Sequence, residues 1–425
     1  MSQIYSMAIK TCRRIESEIK GMLLYNIFLK ILLSVEKIWL DSYFRKAYPS
    51  GKFLKFLEKS HVLKNHIFAP PLFILAFSIF MIMASTPVSW KLHLTILIGF
   101  IFFFLFSMII PRFILKDMEY YLKFKSEDIN SIGLTLFLVS IIFFIITITD
   151  VGGLPLLHPT LRYSLNPKLT IPAFLMIPAT ALISSHLLEK MKEGSIDRAR
   201  VKFRIMVLAL ICAAFLTLLG YRTPVVALIL IIAIMGYYTG LFDIWEILGS
   251  FLFAFLVIMG IGYFRSVEEY SVTSISAMNF LKMRAAFTLN VLDMLSHLSG
   301  PTGALHGDLI MSMIPGPGDG PRTLIGKLIS WRTGVTITPT IFGQMLVDFG
   351  TAGVAAGMGI LGLITGAGYR IMKKTGDTFY IMLYALIMAY LIISVETGIL
   401  DQTVMGYFAA GGAIYLYNIV KINRH

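Results

Sequence analysis

The chain has 425 residues, 57% of them hydrophobic and 14% charged, with a mean hydropathy of +0.78. That excludes a water-soluble globular protein, in which about a quarter of residues are charged. The formal charge of +13 does not indicate nucleic acid, because the basic residues fall in short loops between apolar segments, as the positive-inside bias produces.

Residues 1–66 carry twelve Lys/Arg against five acids, and apolar residues recur at helical spacing over Met22–Trp39. This predicts one or two basic amphipathic helices, cytoplasmic or interfacial. The segment lacks a short apolar core with a cleavage site, so no cleavable signal peptide is expected. Cys12 lies here and Cys212 inside an apolar segment, so no disulfide is expected either.

Ten apolar segments of spanning length follow: 67–86, 92–115, 131–149, 169–188, 204–220, 223–240, 244–263, 340–367, 377–395 and 403–420. The fold class expected is all-α, a polytopic membrane protein. Residues 67–264 hold spans one to seven, 265–339 form one large loop, and 340–425 hold spans eight to ten with a tail. With the N-terminus inside, the basic loop 189–204 (Lys190, Lys192, Arg198, Arg200, Lys202, Arg204) also falls inside. So do Arg370, Lys373 and Lys374, and the tail with Lys421 and Arg424. Both termini are therefore expected in the cytoplasm. Turn 87–91, segment 150–168, the turn around Tyr221–Thr223, the stretch 265–339 and loop 396–402 are expected outside. No inverted repeat relates the halves, which disfavours a transporter built from matched halves.

The outer segments hold the candidate chemistry. Gly152-Gly153-Leu154-Pro155-Leu156-Leu157-His158-Pro159 precludes a regular helix and leads to Arg162. Gly220-Tyr221-Arg222-Thr223-Pro224 sets an arginine between two spans, where it either snorkels to headgroups or serves function. Arg265 ends span seven beside Tyr263 and Phe264, and is open to the same two readings. The large loop begins with an amphipathic helix near Ser274–Leu298, with Met278, Leu281, Ala285, Leu289, Leu292 and Leu295 on one stripe and Arg284 and His297 off it. Gly300-Pro301-Thr302-Gly303 breaks that helix just before His306-Gly307-Asp308. The run Gly316–Arg322 reads as a turn scaffold or as a nest of backbone donors. Arg332 precedes re-entry to the bilayer, and Asp348 lies within a few turns of the outer end of span eight. Gly353/Gly357 and Gly362/Gly366 allow close helix approach, and the glycines from Gly350 to Gly366 read as packing.

No Walker-type loop, zinc spacing or Asp-x-Asp pair appears, so neither cofactor nor metal is expected. Arginines at an outer membrane surface suit an anion, and an anion at the mouth of the spans is lipid-linked. A lipid diphosphate sugar fits. Arginines stabilise the leaving diphosphate without a metal, and a histidine with a pKa near neutrality serves as base toward an acceptor hydroxyl. On this reading Arg162, Arg222 and Arg265 are the candidate diphosphate ligands and His306 the candidate catalytic base, with Asp348, Arg284, Arg332 and Asp308 as supporting candidates.

The order of Gly152–Leu157 with Arg162, Gly220–Thr223, the long loop with His306-Gly307, and Gln344–Gly350 resembles the O-antigen polymerase and ligase superfamily, most closely its archaeal oligosaccharide-polymerase branch. The resemblance covers about Asp150 to Gly366. It implies a GT-C-like helical membrane glycosyltransferase, metal-independent and inverting, that polymerises oligosaccharide repeat units from a polyprenyl or dolichyl diphosphate donor. It implies that Arg222 and Arg265 contact diphosphate and that His306 lies near the acceptor. Partners implied are lipid-linked donor and acceptor, membrane lipids, and a flippase or chain-length regulator. Gln344 stands where members of the superfamily often carry an acid. A ligase acting on a lipid or protein acceptor would use the same residues. A lipid-linked oligosaccharide flippase is the alternative of another class, and would want charges lining a cavity at mid-membrane depth.

Overall fold

The computed structural model describes residues 2–21, 23–41, 66–115, 121–270, 276–313, 320–330, 337–399 and 401–422. Among them the chain is helical throughout, with no strand. Seven helices are long and apolar enough to cross a membrane, and the protein is an all-α, polytopic membrane protein. Each of the ten expected segments contains a helix. The first is short: Leu72–Ala84 begins only after Pro70-Pro71 and stops at Ser85, whose φ of 50° is left-handed. The chain divides into two compact units, 1–67 with 123–270 and 377–385, and 68–122 with 271–376 and 386–425.

In the first unit α1 (Ser2–Gly21) and α2 (Leu23–Asp41) precede five long helices. These are α3 (Ser126–Val151), α4 (Met176–Lys192), α5 (Arg198–Leu218), α6 (Arg222–Thr239) and α7 (Ile244–Tyr270). The short helix Pro167–Ala173 runs into α4 through a break at Phe174–Leu175, because Pro178 has no N–H for the Phe174 carbonyl. Helix α4 packs on α3 and α5, and α6 packs on α4, α5 and α7. The amphipathic helices are tied to this bundle. Arg13 donates to Asp128 at the start of α3, and Arg204 at the start of α5 donates to the buried Glu36 of α2 at 3.2 Å. Residues 152–162 and 220–222 therefore lie at the opposite ends of α3 and α5 from the N-terminal helices.

In the second unit α8 (Trp90–Phe104) passes through a π-helical turn, Leu105–Ile109, which accommodates the missing N–H of Pro111. Gly362 and Gly366 of α9 (Ile341–Thr375) lie against the backbone of Phe103 and Ser107, the packing role expected of them. Gly350 does something else. Helix α9 breaks there, with φ −135° at Phe349 and φ 63°, ψ −156° at Gly350. The first half turns back, so that Met345 meets Gly357. The 25 residues after the break still span about 37 Å, enough for the bilayer core.

The stretch after α7 contains α10 (Ala277–Leu298), a single turn α11 (Asp308–Met311) and α12 (Pro321–Ser330). Leu281, Ala285, Leu289, Leu292 and Leu295 of α10 are buried, whereas Met278 at the edge of that stripe is exposed. The helix packs on Leu72–Ala84, α8 and α9. Val291, Leu295, Leu309, Met313, Ile325, Ile337 and Val347 form one apolar core, which ties all three helices of this stretch to the first half of α9.

Candidate functional site

The break in α9 holds the His306 segment. A broken helix leaves carbonyls without partners, and buried carbonyls must find donors. Val347 O receives N–H from both Ala304 (2.6 Å) and Leu305 (3.1 Å). Asp348 is fully buried, and its two carboxylate oxygens accept from the backbone N–H of Leu309 (3.1 Å) and Ile310 (3.0 Å). Those N–H groups open α11, so the carboxylate caps a helix turn that belongs to another segment. A Cβ on Gly303 would collide with the Asp348 carbonyl, and one on Gly350 with the Pro301 carbonyl. Only glycine permits the crossing at either place.

His306 sits at the apex of this crossing. Its side chain is exposed and its φ is +49°, followed by +106° at Gly307. A left-handed histidine is uncommon and costs about 1–2 kcal/mol, so the surrounding bonds must impose it. Asp308 is exposed at the start of α11. Gln344, one turn before Asp348, is buried, and its Oε1 has no partner among the described residues.

The first unit brings together a second group. Leu156 N–H donates to the Leu218 carbonyl at 3.1 Å, so the glycine- and proline-rich segment is fastened to the end of α5. A Cβ on Gly220, whose φ is +75°, would lie 3.6 Å from the Pro155 carbonyl oxygen and 3.7 Å from Arg162 Cδ. The Arg162 guanidinium lies over the Tyr221 ring, 4.7 Å from its centroid. Tyr221 in turn meets Phe174 edge-on at 5.3 Å. Arg222 is the first residue of α6 and is buried. Two arginines thus flank one tyrosine, where cation–π contact limits the freedom of the Arg162 guanidinium.

Arg284 is placed differently from the other arginines. It makes a salt bridge with Glu396, a residue the sequence reading passed over because it lies at the edge of an apolar segment. Both partners are partly exposed, so such a pair contributes at most about 1 kcal/mol. We expect Arg284→Gln to keep most of the activity and to lower the melting temperature only slightly; loss of turnover in a folded protein would return Arg284 to the site. Helix α10 is fixed at two further points. Asp293 accepts from Ser89 N–H at 3.1 Å and Oγ at 2.5 Å, and Lys91 donates to the Ser296 carbonyl at 2.5 Å. Turn 87–91 and the long stretch therefore share one end of the second unit. Arg265 lies on α7, where the side chain is outside the described residues, as are Arg332 and residues 316–319.

The first unit thus places Arg162 and Arg222 beside Tyr221 at the end of α5, and the second carries an exposed His306 in an ordered helical insertion, within an all-α multi-pass membrane protein. The family model described as "Putative O-antigen polymerase" matches residues 66–408, and the chain belongs to that family, whose activity is of the glycosyltransferase type. It is also 28% identical over 311 residues to an uncharacterized protein of the archaeon Methanocaldococcus jannaschii, covering 71% of this chain and 81% of that one. The archaeal relative agrees with the branch expected from the sequence. No solved structure matches the chain.

Proposed function

We propose that the protein polymerises oligosaccharide repeat units from a polyprenyl or dolichyl diphosphate donor, outside the membrane, by inverting transfer without a metal ion. The observation that carries this reading is the exposed, left-handed His306 pinned by buried Asp348. Its imidazole takes the proton of the acceptor hydroxyl. The acceptor oxygen attacks the anomeric carbon on the face opposite the diphosphate, and the carbon–oxygen bond to the diphosphate breaks. Negative charge develops on the leaving lipid diphosphate. Arg222 and Arg162 stabilise it, with Arg265 as a third ligand. Asp348 acts through the backbone and is a positioning residue. A flippase that delivers the donor, or a regulator of chain length, fits as partner.

Turnover of a purified lipid-diphosphate repeat unit by the protein in vesicles tests the reading. A ladder of lengthening lipid-linked chains is expected. Transfer of a finished chain to a lipid or protein acceptor would make the protein a ligase. Movement of the lipid-linked unit across the vesicle without new bonds would make it a transporter. Arg222→Ala should abolish the ladder, and Arg222→Lys should recover little, because lysine lacks the planar fork that pairs with phosphate oxygens. Full turnover by the lysine variant would reduce Arg222 to a generic charge.

Sidedness has its own test. In cells, with Cys12 replaced, Asp308→Cys should react with an impermeant thiol reagent and Ser195→Cys should not. The opposite pattern would put the proposed site in the cytoplasm and end this reading.

A further inference from the structure

A lipid diphosphate needs room for its chain as well as for its charge, and the first unit contains such a space. An apolar groove of about 860 Å³ runs between α5 and α7, with α6 as its floor. Small residues open it: Ala213 on α5 and Gly249 on α7 line the two walls. The rims carry exposed apolar side chains, among them Leu210 and Phe253, so the groove faces the lipid side of the bundle rather than its interior. From Met206 to Leu218 the α5 wall is about 18 Å long at the helical rise per residue.

The two ends of the groove differ. At one end the groove is lined by Phe242 and by Glu246, which pairs with Lys202, whose ammonium lies 5.7 Å from the Phe242 ring centroid. At the other end lie Val225 of α6 and Leu218 of α5. Val225, Ile229 and Ile232 line the floor at helical spacings of four and three residues, and Arg222 stands three residues before Val225 on the same face. The floor stripe of the groove therefore begins at a buried arginine. Arg162 and Tyr221 stand beside it.

We propose that this groove holds the polyprenyl chain of the lipid-diphosphate substrate, with its diphosphate at Arg222 and Arg162. The inference rests on the reading of those arginines as diphosphate ligands. An apolar channel with a charged pair at its far end and two guanidinium groups near its mouth matches a molecule that is apolar along its length and doubly anionic at its head. The Lys202–Glu246 pair stops the chain, so the groove takes the first several isoprene units and leaves the remainder in the bilayer. Two arginines favour two phosphates over the single phosphate of an ordinary phospholipid.

The test uses the full chain in lipid nanodiscs and a polyprenyl diphosphate with a diazirine a few isoprene units from the head. Illumination should attach the probe to peptides of α5 and α7 that line the groove. Gly249 lines the groove and a Cβ there meets nothing within 4 Å, so Gly249→Trp is the substitution that fills the space. It should lower labelling about tenfold, equivalent to about 1.4 kcal/mol of lost affinity. Labelling confined to other helices, or unchanged labelling in Gly249→Trp, would overturn the proposal. So would equal labelling by, and full competition from, a diazirine phosphatidylglycerol, which would make the groove a site for bulk lipid. Arg222→Ala separates the two ideas. Labelling lost in that variant supports both, whereas labelling retained keeps the groove as the chain site and removes Arg222 from the diphosphate.

Discussion

His306→Ala should leave a folded protein that binds lipid-linked donor and turns it over about 10²–10⁴ times more slowly, the usual loss when a general base is removed. The companion variant is His306→Gly. The position has φ +49°, which a side chain resists and glycine accepts freely. If the histidine were there for the fold, glycine would serve as well. We expect the glycine variant to be more stable than wild type by about 1 kcal/mol and as inactive as alanine. Melting temperature and turnover on the same preparation decide this. An active glycine variant would reduce His306 to a turn residue. In that case the exposed His297 and His158 become the next candidates for the base, and Asp308 follows them.

Gly350→Ala should detach the His306 segment altogether. The glycine has φ 63° and ψ −156°, a region essentially closed to residues with a Cβ, and its added methyl would strike the Pro301 carbonyl. The expected cost is about 3 kcal/mol or more, with loss of activity. Asp348→Ala should act on the same crossing from the other side. It leaves the N–H groups of Leu309 and Ile310 without their acceptor, at about 1–3 kcal/mol for each buried group. Asp348→Asn retains one carbonyl oxygen and should fall between. The check is protease sensitivity between residues 300 and 312 alongside the melting temperature. If Gly350→Ala melts like wild type and keeps its activity, the crossing does not hold the site.

The all-α, polytopic class is legible in the residues because long apolar runs are their own signal. The breaks at Gly220–Thr223 and at His306-Gly307 are legible too, whereas Arg265, expected to end span seven, lies inside α7, which runs on to Tyr270. The crossing at Gly350 is not. Six glycines from Gly350 to Gly366 share the small-residue spacing of packed helices, and the first of them differs only in its backbone angles. The role of Asp348 is hidden for a related reason. Its partners are the N–H groups of Leu309 and Ile310, which every residue but proline possesses, so no side chain advertises the contact. The bond from Leu156 to Leu218 that sets the first unit's loop is equally silent. Glu396 is different. An acid at the rim of span nine could have been matched to Arg284 by charge alone, had residues 112 apart been considered together.

The segment around His306 looks from outside like a mobile strap, since His306, Asp308 and Ile310 are all solvent-facing. Its amide protons say otherwise. Those of Ala304, Leu305, Leu309 and Ile310 all point to acceptors inside the helix break. At about 1 kcal/mol for each bond, lifting the segment costs about 4 kcal/mol, so the lifted form is populated about once in a thousand molecules. Hydrogen–deuterium exchange should therefore find these four amides protected roughly a thousandfold amid fast-exchanging neighbours. A histidine on such a mount is not carried to its substrate by a swinging loop. On the proposed function, the acceptor sugar must come to it.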